Sequence, residues 1–169
     1  MDSDRRLVVF FHENAGNLGL RLEYFALIYH NANCDVLALA YRGYSESTGH
    51  PNEPGLKLDA EAVMDFVHAE LAHYYVDKGG IFVIGRSLGG GVATSVISSL
   101  PAEQLDQIDG LVLENTFTSI EDMAHEIFGV LACMKGFILT NHWPNIDNVK
   151  DITLPMFYVT GRYDEIVPT

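Results

Sequence analysis

Short apolar runs alternate with longer amphipathic segments along the chain. The runs are bounded by turn-forming residues and cover residues 7–11, 35–40, 81–84, 111–113 and 156–160. They are almost continuously apolar rather than alternating, which is typical of strands buried on both faces of a parallel sheet. We therefore predict five strands of this kind.

Between the runs, apolar residues recur at a spacing of three or four, which predicts helices. The predicted helices cover residues 18–30, about 58–76, and 87–99. Asp59 and Glu61 lie near the expected start of the second helix, where the helix dipole favours acidic side chains. The alternation of strands and helices predicts an α/β fold with an open, mostly parallel sheet and helices on both faces. Residues 1–169 contain neither repeats nor a flexible linker, so we predict a single domain.

Composition and charge narrow the classes of function. The chain is 48% hydrophobic and 20% charged, as in globular proteins, and has a net charge of −13. Nucleic-acid binding requires clustered Lys and Arg, so the acidic charge argues against it. Cys34 and Cys133 lie far apart in apolar stretches, and we expect both to be buried, reduced thiols without a zinc-binding spacing. We expect neither a metal nor an organic cofactor.

Hydropathy bears on the expected location of the protein. The chain opens with the polar run Met1-Asp2-Ser3-Asp4-Arg5-Arg6, which is unlike a secretory signal. The most apolar stretch, residues 127–139, is interrupted by Lys135 and is too short to span a bilayer. A core helix, the wall of a pocket and a contact with a membrane surface are all consistent with it. We expect the protein to be cytoplasmic or peripheral to a membrane.

The most informative motif is Gly85-Arg86-Ser87-Leu88-Gly89, which joins a predicted strand to a predicted helix. A strand that turns directly into a helix bends sharply, and the glycines permit the bend because they add no side-chain bulk. The pattern Gly-x-Ser-x-Gly is the nucleophile elbow of α/β-hydrolases and predicts Ser87 as a nucleophile. The alternative is a glycine-rich turn with a structural serine. A phosphate loop is not indicated, because no Gly-Lys-Ser/Thr follows.

The loop after the first predicted strand is the second candidate feature. In this architecture that loop supplies one backbone N–H to an oxyanion hole, and the residue after the nucleophile supplies the other. The predicted donors are therefore Asn14, or its neighbour Glu13, and Leu88. We interpret His12, which begins the loop, as a histidine that orders the loop through the backbone rather than as a catalytic group.

A carboxylate after a later strand is the third candidate feature. Asp164 follows the last predicted strand and a glycine, and an acid there can orient an imidazole and stabilise its charged form. The alternative interpretation of Asp164 is a turn aspartate that bonds its own backbone. The competing acid is Glu114, which ends the strand at 111–113.

Five blocks of residues occur in a fixed order along the chain. They are His12-Glu13-Asn14-Ala15-Gly16-Asn17, Tyr41-Arg42-Gly43-Tyr44-Ser45, Gly85-Arg86-Ser87-Leu88-Gly89-Gly90, Glu114-Asn115-Thr116-Phe117-Thr118-Ser119 and Gly161-Arg162-Tyr163-Asp164-Glu165-Ile166-Val167-Pro168. This series resembles the Bem46-like group of α/β-hydrolases over nearly the whole chain. The resemblance implies an α/β-hydrolase domain over 1–169 and a Ser–Asp–His triad with Ser87 as nucleophile and Asp164 as acid.

The resemblance also implies a triad histidine a few tens of residues beyond Asp164. The chain ends at Thr169. We therefore expect the last strand and helix of the fold, and the histidine, to lie outside it, and we expect little or no turnover from these residues alone. Loss of that strand is expected to expose the edge near 156–160 and to reduce stability or promote aggregation.

The chain departs from the family pattern in the first loop. The family has His-Gly-Asn where this chain has His12-Glu13-Asn14. A glutamate at that position adds bulk and negative charge beside the oxyanion hole, which is expected to weaken transition-state stabilisation. His142 is an alternative base if residues 120–145 fold over the site as a small cap.

The motif predicts a serine hydrolase that works through an acyl-enzyme, and the resemblance to the family implies an ester or thioester as its substrate. The expected substrate is a small-molecule or lipid-like acyl compound, or an acylated protein. A serine peptidase shares the same triad and is the first alternative. The second alternative is a non-catalytic protein of the hydrolase fold that binds a ligand or partner, because a fold does not determine function.

Overall fold

The computed structural model describes residues 5–119 and 141–162 of the chain. Five parallel strands form one sheet in the order β2-β1-β3-β4-β5. The strands are β1 (Arg6–Phe11), β2 (Cys34–Ala38), β3 (Ile81–Arg86), β4 (Gly110–Glu114) and β5 (Met156–Val159). All five predicted strands are present, so the α/β fold predicted from the apolar runs is confirmed.

Helices connect the strands. They are α1 (Leu22–Asn31), α2 (Glu53–Phe66), α3 (Ala72–Tyr75), α4 (Leu88–Ser99), α5 (Ala102–Leu105) and α6 (Asn145–Asn148). A 3-10 helix at Leu18–Arg21 leads into α1, a π-helical turn at Val67–Leu71 joins α2 to α3, and a second 3-10 helix at Val149–Asp151 follows α6. The first and third predicted helices are therefore close to the observed ones.

The second helix begins earlier than predicted, at Glu53 rather than about residue 58. The Asn52 side chain caps this helix by accepting a hydrogen bond from the Gly55 amide at 2.8 Å, and Pro54 lies in the first turn. Both residues are typical of a helix start. Asp59 therefore lies in the second turn, where it binds the Arg42 guanidinium at 2.7 Å instead of interacting with the helix dipole.

The central strand β1 is buried on both faces, as predicted. Leu7, Val9 and Phe11 pack in the core that α2 and α4 cover. Val8 and Phe10 alternate with them and pack in a second cluster beneath α1. Helices thus lie on both faces of the sheet, and strand β1 divides the two cores.

The edge strands differ from the prediction. Within the described sheet, β2 pairs only with β1 and β5 pairs only with β4. β2 is mostly half-buried, and on β5 the side chains of Phe157 and Tyr158 are 65% and 54% exposed. Burial on both faces is therefore wrong for these two strands, because an apolar run reports hydrophobicity and not the position of a strand within its sheet.

The topology places the functional loops at one edge of the sheet. The chain passes from β1 to β2 on one side and then crosses back to β3 on the other side of β1. The helices that follow β1 and β3 lie on opposite faces of the sheet. In open α/β sheets, such a switch point opens a crevice at the carboxyl ends of the two strands. The loop at residues 12–17 and Ser87 both lie at this crevice.

Candidate active site

Ser87 forms a strained bend between β3 and α4. Its backbone has φ 51° and ψ −116°, a conformation that a residue with a side chain rarely adopts. The Ser87 amide donates to the Glu114 carbonyl at 2.9 Å, and the Ser87 carbonyl accepts from the Gly90 amide at 2.9 Å. Strain of this kind persists only where the surroundings enforce it, and it is concentrated at functional sites.

Glycines around Ser87 let the elbow pack tightly. A Cβ atom on Gly85 would lie 2.5 Å from the Gly89 carbonyl oxygen, and one on Gly89 would lie 2.9 Å from the His12 carbonyl oxygen. Side chains are therefore excluded at both glycines of the motif. The second contact brings the first turn of α4 against the start of the loop that follows β1.

The Ser87 side chain and two backbone amides have no hydrogen-bond partner among the described residues. Ser87 is half-buried, and within the described ranges its hydroxyl forms no hydrogen bond. No acceptor is found among residues 5–119 and 141–162 for the amide N–H of Leu88 or of Asn14. Leu88 is the first residue of α4, where helix amides carry partial positive charge. These are the two amides predicted from the sequence as oxyanion donors.

His12 is buried, with 2% of its surface exposed. Its Nδ1 donates to the Glu13 carbonyl at 2.7 Å, and its own carbonyl accepts from the Tyr41 hydroxyl at 3.3 Å. Burial lowers the pKa of His12, because the charged imidazolium is poorly solvated there. These contacts agree with the interpretation of His12 as a residue that orders the loop.

Glu13 does not present an unpaired charge. Its Oε1 lies 2.8 Å from Nη2 of Arg21, which ends the 3-10 helix Leu18–Arg21. No role for Arg21 was predicted from the sequence. The only signal available was a basic residue following the acidic one, and spacing alone does not show that the intervening loop folds back to join them.

The loop after β2 braces the loop after β1. The Tyr44 hydroxyl donates to the Asn14 Oδ1, and the Tyr44 ring lies 5.2 Å from the His12 ring, edge to face. The Leu18 amide donates to the Ser45 hydroxyl at 3.2 Å. The sequence block Tyr41-Arg42-Gly43-Tyr44-Ser45, for which no role was predicted, thus supports the loop around Asn14.

The alternative acid, Glu114, is engaged elsewhere. Its carboxylate accepts from the Tyr24 hydroxyl at 3.0 Å and lies 3.7 Å from Arg86 Nε. Burial, together with the nearby Glu114 carboxylate, raises the pKa of Tyr24 to about 12. Tyr24 belongs to α1, so the Glu114 side chain lies on the face of the sheet that α1 covers.

Comparison with known proteins identifies the family. Residues 2–151 match the family described as serine aminopeptidase, S33. The chain is 39% identical over 165 residues to Protein bem46 of Schizosaccharomyces pombe, covering 97% of this chain and 53% of that protein. The chain is a member of the α/β-hydrolase family. Its predicted resemblance to the Bem46-like group is confirmed.

Further similarities extend this result. The chain is 30% identical to the lysophosphatidylserine lipase ABHD12 of Mus musculus, covering 98% of this chain and 43% of that protein. It thus spans about half the length of the curated relatives it matches. An esterase from Pyrococcus furiosus superposes with a TM-score of 0.73 at 18% identity, over 98% of this chain and 64% of that one. Esterase B from Lactobacillus rhamnosis superposes with a TM-score of 0.73 at 17% identity, over 98% of this chain and 58% of that one. The solved structures show a shared fold.

Several predicted features of this hydrolase chain lie outside the described residues. They are Asp164, the apolar stretch 127–139, Cys133 and most of the suggested cap at 120–145. Cys34 is described and is a buried free thiol, as predicted. In the described part of the chain, no helix has the length and hydropathy needed to cross a bilayer, and no group of three or more His, Cys, Asp or Glu could hold a metal ion.

The described end of the suggested cap, residues 141–145, packs against α2 and α4. The Glu53 carboxylate accepts hydrogen bonds from the amides of His142, at 2.5 Å, and Trp143, at 3.1 Å. The Asn145 side chain is buried and joins the Phe117 carbonyl, at 2.8 Å, to the Thr94 hydroxyl, at 3.2 Å. This segment is therefore anchored to the domain at both of its ends, and the His142 side chain is exposed.

Proposed function

We propose that the chain forms the nucleophile-bearing part of a serine hydrolase that cleaves an ester or thioester. Ser87 attacks the substrate carbonyl and passes its proton to a histidine base. The amides of Asn14 and Leu88 stabilise the oxyanion, and the alcohol or thiol departs with the proton. Water then attacks the acyl-enzyme, releasing the acid and restoring the Ser87 hydroxyl.

One observation carries this proposal: Ser87 is a non-glycine residue with φ 51° whose hydroxyl makes no hydrogen bond within the described ranges. A structural serine in a turn gains stability by bonding its neighbours, and Ser87 does not do so. Two amides without an acceptor among the described residues, those of Asn14 and Leu88, lie in the loop after β1 and in the first turn of α4. This arrangement supports the proposal that Ser87 is a nucleophile and that the two amides form its oxyanion hole.

Asp164 is proposed as the triad acid, with the histidine that follows it in the family pattern as the base. Contacts of the competing carboxylate support this choice. Glu114 is held by Tyr24 and Arg86 beneath α1. Releasing it to orient a histidine would leave the Arg86 guanidinium without that partner.

The proposed substrate is a small-molecule or lipid-like acyl ester, and an acylated protein is a second substrate class. Support comes from the relatives, which include a lysophosphatidylserine lipase, and from structural neighbours that are esterases. Another relative, from Saccharomyces cerevisiae, is named an uncharacterized membrane protein and is 36% identical over 92% of this chain. We propose a cytoplasmic location or a peripheral contact with a membrane, where lipid-like esters are presented.

Active-site labelling tests the proposal. In the full-length protein that contains this chain, a fluorophosphonate probe is expected to label Ser87, and Ser87→Ala should abolish the adduct. Ser98→Ala is the matched control, because Ser98 is exposed on α4 and its hydroxyl donates to the Ser95 carbonyl. Labelling that persists in Ser87→Ala, or that is absent from the wild type, would contradict the assignment. Labelling would also exclude a non-catalytic binding protein.

A serine peptidase is the second candidate. The match of residues 2–151 to a family described as serine aminopeptidase favours it. Rates on p-nitrophenyl esters of varied chain length, set beside rates on aminoacyl-nitroanilides, separate the two functions. Faster cleavage of the anilides would replace the esterase proposal with the peptidase.

A further inference from the structure

Arg21 lies at the centre of the loop that follows β1. The residue is 9% exposed, and its Nη2 lies 2.8 Å from Glu13 Oε1. The same Nη2 donates to the Ala15 carbonyl, and Nη1 donates to the Asn17 carbonyl at 3.4 Å. One guanidinium therefore contacts three positions of the loop at residues 12–17, which contains a proposed oxyanion donor, Asn14.

The loop backbone is shaped around this guanidinium. Gly16 has φ +78°, and a Cβ atom there would lie 2.9 Å from Arg21 Nη1. Asn17 caps the 3-10 helix that ends in Arg21, since its side chain accepts from the Leu20 amide at 3.3 Å. The loop thus turns at a glycine, passes over the guanidinium and enters the short helix that carries it.

The stability of the Glu13–Arg21 pair does not explain its presence. Burying an ion pair costs desolvation free energy that its mutual attraction often fails to offset. Glu13 Oε2 and Arg21 Nε are also buried, and neither has a hydrogen-bond partner among residues 5–119 and 141–162. A pair that is only partly satisfied adds little to the free energy of folding, but its contacts fix the geometry and charge of the loop.

We propose that Arg21 is a positioning residue for the hydrolytic reaction. It fixes the backbone that carries the Asn14 amide, and it neutralises the Glu13 carboxylate that stands where the family pattern has glycine. Without Arg21, the loop loses three contacts and an unpaired negative charge lies beside the developing oxyanion. Both effects raise the energy of the transition state more than that of the bound substrate.

The inference rests on the proposed function and is tested in the full-length protein. Arg21→Met is expected to lower kcat, and the rate constant for fluorophosphonate labelling of Ser87, by about ten-fold or more, with KM changed by less than about three-fold. Arg21→Lys should be intermediate, because an ammonium can pair with Glu13 but lacks the fork that also reaches two carbonyls.

Arg5→Met is the matched control. Arg5 pairs with Asp35 at 2.7 Å, and its side chain is buried to a similar extent, 14% exposed against 11% for Arg21. It precedes β1, at the end of the strand opposite to the site. Removing it should destabilise the fold without changing kcat at temperatures where the variant is folded. Urea unfolding of each variant separates loss of structure from loss of rate.

A double variant keeps the test decisive if Arg21→Met does not fold. Glu13→Gln with Arg21→Met leaves no unpaired charge, and it should fold while retaining a reduced kcat because the loop contacts are gone. A rate equal to wild type in either folded variant would overturn the inference. Absence of Ser87 labelling in the wild type itself would instead overturn the proposed function, so the two failures are distinguishable.

Discussion

A Cβ atom on Gly89 would lie 1.9 Å from the carbonyl oxygen of Phe11 and 2.4 Å from its carbonyl carbon. These are backbone atoms at the end of the central strand, so they cannot swing aside as a side chain can. The first turn of α4 therefore lies directly against the end of β1. This contact brings the elbow and the loop after β1 to one place.

Gly89→Ala is expected to destabilise the domain by about 3 kcal/mol or more, because the added methyl group collides with the Phe11 backbone. Gly91→Ala is the control in the same helix. Its Cβ would lie 3.1 Å from the Trp143 ring, a contact that small shifts relieve. Both changes gain the same intrinsic helix propensity, about 1 kcal/mol. Urea unfolding that gave equal free energies for the two variants would contradict the close approach.

Ser87→Gly is expected to be more stable than Ser87→Ala by about 1 kcal/mol. Both variants lack the hydroxyl, but only glycine adopts a positive φ without steric cost. The difference in unfolding free energy thus isolates the backbone strain at φ 51°. Equal unfolding free energies of the two variants would show that the elbow holds no strain. Neither variant should react with the fluorophosphonate probe, because both lack the Ser87 hydroxyl.

Glu53→Gln tests the anchor of residues 141–145. Burial acts to raise the pKa of Glu53, but Lys57 and the amides of Trp143 and His142 outweigh it and hold the pKa below 4.5. A lowered carboxylate pKa gives stability that is present above about pH 4.5 and lost as the pH falls through the folded-state value. The variant should lose about 2 kcal/mol at pH 7 and show a flatter stability profile below pH 4.5. Parallel wild-type and variant profiles would contradict this.

Burial of His12 is expected to give the folding stability a second, milder dependence on pH. Burial lowers its pKa from 6.5, so the unfolded chain takes up a proton at a pH where the folded one does not. Stability should therefore fall as the pH drops below about 6.5 toward the folded-state pKa, by at most about 1.4 kcal/mol per pH unit. His12→Asn should remove this component, as measured by urea unfolding at pH 7.5 and 5.5. If the unfolding free energy of His12→Asn changed with pH as steeply as that of the wild type, the pH dependence would come from other groups.

Phe157→Lys is expected to reduce self-association of the chain. β5 pairs only with β4 in the described sheet and exposes Phe157 on one face and Tyr158 on the other. Exposed, apolar edge strands recruit other chains, and a lysine opposes such pairing. Sedimentation velocity should show a smaller oligomeric fraction for the variant. Val76→Lys, which alters an exposed apolar residue outside the sheet, serves as the control.

Much of the fold was predictable because its signals are local. Strands β1 and β3 were recognised from runs of apolar residues, and the bend at Ser87 followed from its two flanking glycines. The start of α2 was also encoded locally, by Asn52 and Pro54, and was missed because the apolar spacing becomes regular only later in that helix.

Side-chain pairings across loops and between elements were not predictable. Glu13 with Arg21, Arg42 with Asp59, and Glu53 with the amide of Trp143 each join residues that no sequence spacing connects. An acidic residue has many basic or amide partners available along the chain. Which one it meets depends on where the loops and helices lie after the sheet has assembled.

The sequence by itself determined the α/β class, the five strands and the position of Ser87 in the strand–helix turn. These features follow from hydrophobic periodicity and from the conformational freedom of glycine, which act over a few residues. Only the tertiary structure decided that β2 lies at an edge of the described sheet, that Glu114 faces α1, and that Arg21 pairs with Glu13. Those outcomes depend on strand order and on contacts between distant segments, and charge pairing is fixed by distance in space rather than along the chain.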